Sequence, residues 1–327
     1  MRSAKLESMI PAIDVRNLKK SYLPINRRAG SKTVALKGID LTIKSGEFYG
    51  LLGPNGAGKT TTIGIITGLV RLDEGSVSVM GKDIISDYRF TRSKIGVSPQ
   101  ELTVDWFFSI ERLLYFQAGY YGIRKEEVSD RIEQLLKKFG LYKKRNSKIR
   151  ELSGGMKRRF QIVKALVHDP EILILDEPTA GIDVELRHML WDYLRQLHKE
   201  GKTILLTTHY IDEAELLCER VGIINEGTIV VEGKPSELIQ SLGKGSIEVY
   251  LSDCDPEKEA LISGFSYILE PYDGGSRLVF SVDEPEKSLP EIIKALSSNG
   301  CHIHEVKITK SSLEDVFISL TGRAIND

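Results

Sequence analysis

Phe48-Tyr49-Gly50-Leu51-Leu52, followed by Gly53-Pro54-Asn55-Gly56-Ala57-Gly58-Lys59-Thr60-Thr61, decides how this chain is read. The first stretch is apolar and short, the pattern of a buried strand. The second fits the phosphate-loop pattern G-x-x-x-x-G-K-[S/T], and a helical pattern from Thr60 to Leu69 follows it. Glycines let the backbone turn tightly and bring its N–H groups against phosphate oxygens. The helix that follows points its positive dipole end at the same anion. Lys59 is placed to reach the outer phosphates, and the Thr60 hydroxyl to ligate Mg²⁺. Strand, loop and helix in that order separate this motif from a chance glycine-rich turn.

Outward from the loop, the chain reads as an α/β protein. Strands are expected at Ile13 to Leu18, Gly46 to Leu52, Ile172 to Leu175, Thr203 to Thr207 and Val221 to Ile224, with helices between them. Ile172-Leu173-Ile174-Leu175 and Ile204-Leu205-Leu206 are continuous apolar runs, as in parallel strands buried on both faces. From Trp106 to Lys144 the pattern turns helical and aromatic, a helical insertion into the core. A helix after Asp183 carries Leu186, Met189, Leu190, Tyr193, Leu194 and Leu197 as one apolar stripe. The loop from Pro24 to Lys32 is basic, and its charges read as a solvated hairpin tip. A Gly/Lys hinge at Gly243 to Gly245 precedes a second, smaller α+β unit.

With 327 residues and 41% hydrophobic content, the chain can bury a substantial core. Lys+Arg 45 against Asp+Glu 46 leaves a net charge of -1, with no basic surplus for a nucleic-acid partner. Cys218, Cys254 and Cys301 are scattered and odd in number, which predicts reduced thiols in a cytosolic protein. Cys301, His302 and His304 lack a fourth ligand nearby and read as an ordinary strand. No apolar run reaches the roughly 20 residues that cross a bilayer. Glu7 and Pro11 interrupt any signal-peptide pattern at the N-terminus.

Two further motifs carry chemistry. Asp176 and Glu177 end a buried strand as adjacent carboxylates, suited to a Mg²⁺ shell and to polarising a water. Leu152-Ser153-Gly154-Gly155-Met156 opens a helix, and its hydroxyl, glycine N–H groups and helix dipole form a second anion cradle. One nucleotide has no obvious need of two cradles from one chain.

Taken together, these residues resemble the nucleotide-binding subunit of an ATP-binding cassette (ABC) transporter, from about Ile13 to Leu242. Gly53 to Thr61 matches the Walker A loop, Gln100 the Q-loop, and Leu152 to Met156 the signature motif. Leu173 to Glu177 matches Walker B with its catalytic glutamate, Ala180 to Asp183 the D-loop, and His209 the H-loop. Tyr22 falls where the family stacks an aromatic ring on adenine. The resemblance implies a P-loop NTPase core with a mostly parallel sheet, spanning residues 11–243 with a helical subdomain at about 101–168. A C-terminal α+β domain takes residues 246–327. It implies ATP and Mg²⁺, the metal held by Thr60, Gln100 and Asp176, with Lys59, Gln100, Glu177 and His209 in catalysis. Two subunits, identical or related, would pair head to tail, so that Ser153, Gly154, Gly155 and Asp183 meet the partner's ATP. Ser312 to Gly322 resembles the tail of ATPases of ABC-2 exporters, including daunorubicin-resistance-type drug exporters. The expected protein is therefore cytoplasmic and peripheral on the membrane, docked on a separate permease through a few exposed rings of 106–121. An importer ATPase and a soluble non-transport ATPase are the alternative readings.

Overall fold

A computed structural model describes residues 10–23, 32–101, 105–241, 245–252, 265–272, 275–282, 285–309 and 312–321. The basic loop from Pro24 to Ser31, Gly243, Lys244, Cys254 and Gly322 lie outside them. Contacts divide the chain into two compact units, the first ending at Pro235 and the second beginning at Ser236.

The first unit holds two sheets. Strands β1 (Ile13–Tyr22), β2 (Thr33–Ile43), β4 (Glu74–Val79) and β5 (Lys82–Asp83) form an antiparallel sheet in the order β2-β1-β4-β5. Strands β3 (Phe48–Leu52), β6 (Ile95–Ser98), β7 (Ile172–Asp176), β8 (Thr203–Thr208) and β9 (Arg220–Asn225) lie parallel, and β10 (Thr228–Gly233) adds an antiparallel edge. The order is β10-β9-β3-β8-β7-β6. Every residue of β3, β7 and β8 is buried, which is why these strands are continuous apolar runs. The antiparallel sheet lacks that signature. Its strand β2 alternates polar and apolar residues and carries Gly38 at positive φ.

Between the two sheets lies the main core. Ile13, Val15, Leu41 and Ile43 of the first sheet meet Leu51, Ile174 and Leu205 of the second, with Ile63, Ile65 and Ile66 of helix α1 (Lys59–Ile66) among them. Helix α2 (Tyr88–Lys94) precedes β6. The helical part comprises α3 (Ile110–Tyr120), α4 (Lys125–Lys138) and α5 (Gly154–Leu166). Ser109 caps α3 by accepting from the Arg112 N–H at 3.4 Å. Buried Ile110, Leu113 and Leu114 on α3, and Val128, Ile132 and Leu135 on α4, keep the three- and four-residue spacing of a packed helical face. Helices α6 (Val184–Lys199) and α7 (Ile211–Leu217) follow β7 and β8, and α8 (Pro235–Ser241) follows β10.

The second unit is an antiparallel sheet of β11 (Gly245–Ser252), β12 (Tyr267–Tyr272), β13 (Gly275–Val282) and β14 (His302–Thr309), ordered β12-β13-β11-β14. Helix α9 (Pro285–Ser298) packs Ile292 and Leu296 against Ile247, Val249, Leu278 and Phe280. Helix α10 (Leu313–Thr321) ends the described chain. His302 and His304 lie on β14, as expected of an ordinary strand. The thiol expectation needs one correction. Cys218 is a free, buried thiol, but Cys301 is disulfide-bonded, so sequence spacing alone misjudged its redox state.

Candidate functional site: the phosphate loop and the end of strand β7

The phosphate loop connects β3 to α1, and packing fixes its glycines. A Cβ on Gly53 would sit 2.3 Å from the Ile224 carbonyl oxygen. Gly58 has φ +114°, and a Cβ there would sit 2.9 Å from the Ala35 carbonyl oxygen. Lys59 opens α1, only 5% exposed. Its ammonium donates to the carbonyls of Gly53 at 2.6 Å and Pro54 at 3.2 Å, and lies 3.6 Å from Glu177 Oε1. Burial pulls the Lys59 pKa below the ordinary lysine value, while the Glu177 and Asp176 carboxylates act the other way. Asn55, Gly56 and Thr60 are exposed, Pro54 and Ala57 are buried, and Thr61 is half-buried. Tyr22 ends β1 with 41% of its surface exposed and its hydroxyl 3.5 Å from Thr61 Oγ1.

Asp176 is the last residue of β7, opposite Thr207 of β8. The Thr207 hydroxyl donates to Asp176 Oδ1. Glu177 follows with φ +48°, in the left-handed region that a side chain rarely adopts. Its N–H donates to the Thr207 carbonyl at 3.0 Å. Its carboxylate is buried, and three side chains converge on it. Gln100 Nε2 donates to Oε2 at 3.1 Å, His209 Nδ1 lies 3.3 Å from Oε2, and Lys59 approaches Oε1. The His209 contact is close but not aligned as a hydrogen bond. Lys59, Gln100, Glu177 and His209, separated by up to 150 residues of chain, thus meet at one place, next to Asp176.

Ser153, Gly154, Gly155 and Asp183 lie elsewhere. Ser153 caps α5 by accepting from the Met156 N–H at 3.3 Å, and Asp183 caps α6 by accepting from the Leu186 N–H at 2.8 Å. Ser153, Gly155 and Asp183 line one open cleft of about 560 Å³, together with Arg159, Leu186 and Met189. Ser153 and Asp183 are both exposed, each at the N-terminus of its own helix; the hydroxyl and N–H groups at the Ser153 end can receive an anion from outside, whereas the Asp183 carboxylate cannot.

Sequence reasoning missed three supporting residues. Thr207 holds Asp176, as above. Buried Glu213 of α7 accepts from Thr179 Oγ1 and Trp191 Nε1, both at 3.0 Å, and burial raises its pKa. Arg158 of α5 donates to the backbone around Glu177. In the sequence Glu213 and Arg158 look ordinary; only Thr207, two residues before His209, lies next to a recognised motif.

This site, on this fold, makes the chain a member of the ABC transporter family, as an ATP-binding subunit that hydrolyses ATP. Residues 36–180 match the ABC transporter family, and residues 233–321 match the C-terminal domain of ATP-binding proteins of the DrrA1-3-like kind. Nod factor export ATP-binding protein I of Burkholderia lata is 40% identical over 320 residues, covering 97% of this chain and 99% of that protein. The protein of the same name from Sinorhizobium fredii is 39% identical, covering 97% of this chain and 88% of its own length. Among solved structures, a dimeric bacterial ABC transporter cassette is 30% identical with a TM-score of 0.63, covering 68% of this chain and 98% of the cassette. A dimeric post-hydrolysis cassette bound to ADP and Pi gives the same TM-score at 28% identity, with the same shares covered.

Proposed function

We propose that this chain is the ATP-driven motor of an exporter whose membrane pathway is a separate ABC-2-type permease. It works as a dimer, at the cytoplasmic face of the membrane. The observation that carries this reading is the convergence of Lys59, Gln100 and His209 on the buried Glu177 carboxylate beside the phosphate loop.

In this reading the N–H groups of Gly53 to Thr61 cradle the phosphates, Lys59 turns from the loop carbonyls to the outer phosphates, and Tyr22 stacks on adenine. Glu177 accepts a hydrogen bond from the attacking water, and His209 orients water and γ-phosphate for in-line displacement. Positioning and charge stabilisation are most of what this reaction needs. Thr60, Gln100 and Asp176 offer only oxygen donors, which suits a hard cation such as Mg²⁺. Bound there, Mg²⁺ supplies neutralisation of the phosphate charge. Gln100 links that state to the helical part of the fold. Ser153, Gly154, Gly155 and Asp183 of a second subunit close over the nucleotide. The open cleft that Ser153 and Asp183 share supports this, and both an identical and a related partner fit it.

Exposed Trp106, Phe107, Phe116 and Tyr120 support a docking face for the permease. A cleft of about 630 Å³ beside them is lined by Phe108, Leu113, Phe116, Tyr120 and Lys164. Such a patch marks an interaction site. Among the described residues no helix is long and apolar enough to cross a membrane. The likeness to export ATP-binding proteins favours export over import, and a net charge of -1 leaves no basic surplus for a nucleic-acid partner. Cargo selection belongs to the permease.

Purification from detergent-solubilised membranes tests the partner. Recovery of a multi-span membrane protein without a soluble solute-binding protein is expected, and Phe107→Asp should break that association while leaving ATP binding intact. Recovery of ribosomes or DNA in its place would overturn the reading.

A further inference from the structure

Arg158 lies on α5, 7% exposed, between the signature end of that helix and the catalytic strand. Its guanidinium faces six acceptors. Nε donates to the Pro178 carbonyl at 2.9 Å. Nη1 donates to the carbonyls of Pro99 at 2.9 Å and Gln100 at 3.1 Å, and to Gln161 Oε1 at 3.0 Å. Nη2 donates to the Asp176 carbonyl at 2.7 Å and to the Glu177 carbonyl. One planar fork thus holds three successive carbonyls around Glu177 and two of the Q-loop.

That grip matters because of the conformation it grips. A non-glycine residue in the left-handed region is strained and persists only where its surroundings impose it. Glu177 is held on its N–H side by Thr207 and on its carbonyl side by Arg158. Burial opposes the guanidinium charge, and the carboxylates of Asp176, Glu177 and Glu213 support it. A lysine has one nitrogen and cannot span five carbonyls from two segments.

We propose that Arg158 is a positioning residue for ATP hydrolysis: it fixes the Glu177 backbone and the Gln100 segment in the register that aims both side chains at one point. Resting on the catalytic role proposed for Glu177, it acts through that residue and touches no substrate itself. Because α5 also begins at Ser153, a shift of that helix is felt directly at Glu177.

The test is Arg158→Lys in the full chain, alone and combined with Glu177→Gln, with Tm, ATP affinity, KM and kcat measured for each. Expected is a fall in kcat of roughly 10–100-fold with KM and Tm nearly unchanged. In the Glu177→Gln background the same change should cost less than about twofold, because the two residues act as one unit. Gln161→Met, which removes one neighbour of the guanidinium and keeps the arginine, should give a smaller loss of kcat at unchanged KM. The inference is overturned if Arg158→Lys keeps the wild-type kcat, if kcat falls only together with Tm and ATP affinity, or if the losses multiply in the double variant. A wild-type rate for Glu177→Gln alone would instead remove the Glu177 role on which the inference stands.

Discussion

In the proposed function Glu177 concentrates the chemistry of this chain in one carboxylate. It is buried, conformationally constrained, and approached by an amide, an imidazole and an ammonium. Glu177→Gln keeps its shape and removes its charge. Turnover should fall at least about 10²-fold, near 3 kcal/mol, with ATP binding retained. A steady-state phosphate-release assay beside a binding titration checks both halves. His168 makes a second prediction at this scale. Burial lowers its pKa to about 4, with Arg131 and Lys202 adding to the effect and the Ile95 carbonyl opposing it. Its ring stacks on Tyr121 at 3.6 Å. Between the ordinary histidine value near 6.5 and about 4, the unfolded chain holds a proton that the folded chain refuses. Stability must therefore fall as pH drops through that window. His168→Phe should flatten the acid side of a Tm-against-pH curve.

At the scale of elements, the strand ends do the positioning. β3 delivers the phosphate loop, β7 delivers Asp176 and Glu177, and β8 delivers Thr207 ahead of His209. These were legible because each motif follows an apolar run whose burial on both faces forces it into the sheet. What remained hidden is tertiary. Arg158 looks like one of three basic residues after the signature motif, and nothing local says that it turns inward. Glu213 looks like one of several acids on a short helix, though it is fully buried. The bond of Cys301 was equally invisible, since cysteine spacing does not encode distance in space. The β3–α1 turn gives the sharpest element-level prediction. A methyl group on Gly53 meets the Ile224 carbonyl at 2.3 Å, and backbone cannot rotate away. Gly53→Ala should lose about 1–3 kcal/mol of stability in urea titrations and lose ATP affinity in calorimetry. In the second unit, Phe280→Ala should cost about 3–5 kcal/mol, because that ring is fully buried in a small core.

For the whole molecule, the proposed function turns on the residues assigned to ATP falling into two places on one chain. Lys59 stands at the phosphate loop beside Glu177, while Ser153 and Asp183 line a separate open cleft. In the proposed function a single copy offers two half-sites, and a pair of copies completes both. Specific ATPase activity at saturating Mg²⁺-ATP, followed over a wide dilution series of the purified chain, tests this most directly. Activity per subunit should rise steeply with protein concentration and level off as pairs form, and Ser153→Arg should stay low throughout despite normal ATP binding. Constant activity per subunit down to concentrations at which sedimentation finds only single copies would contradict the account.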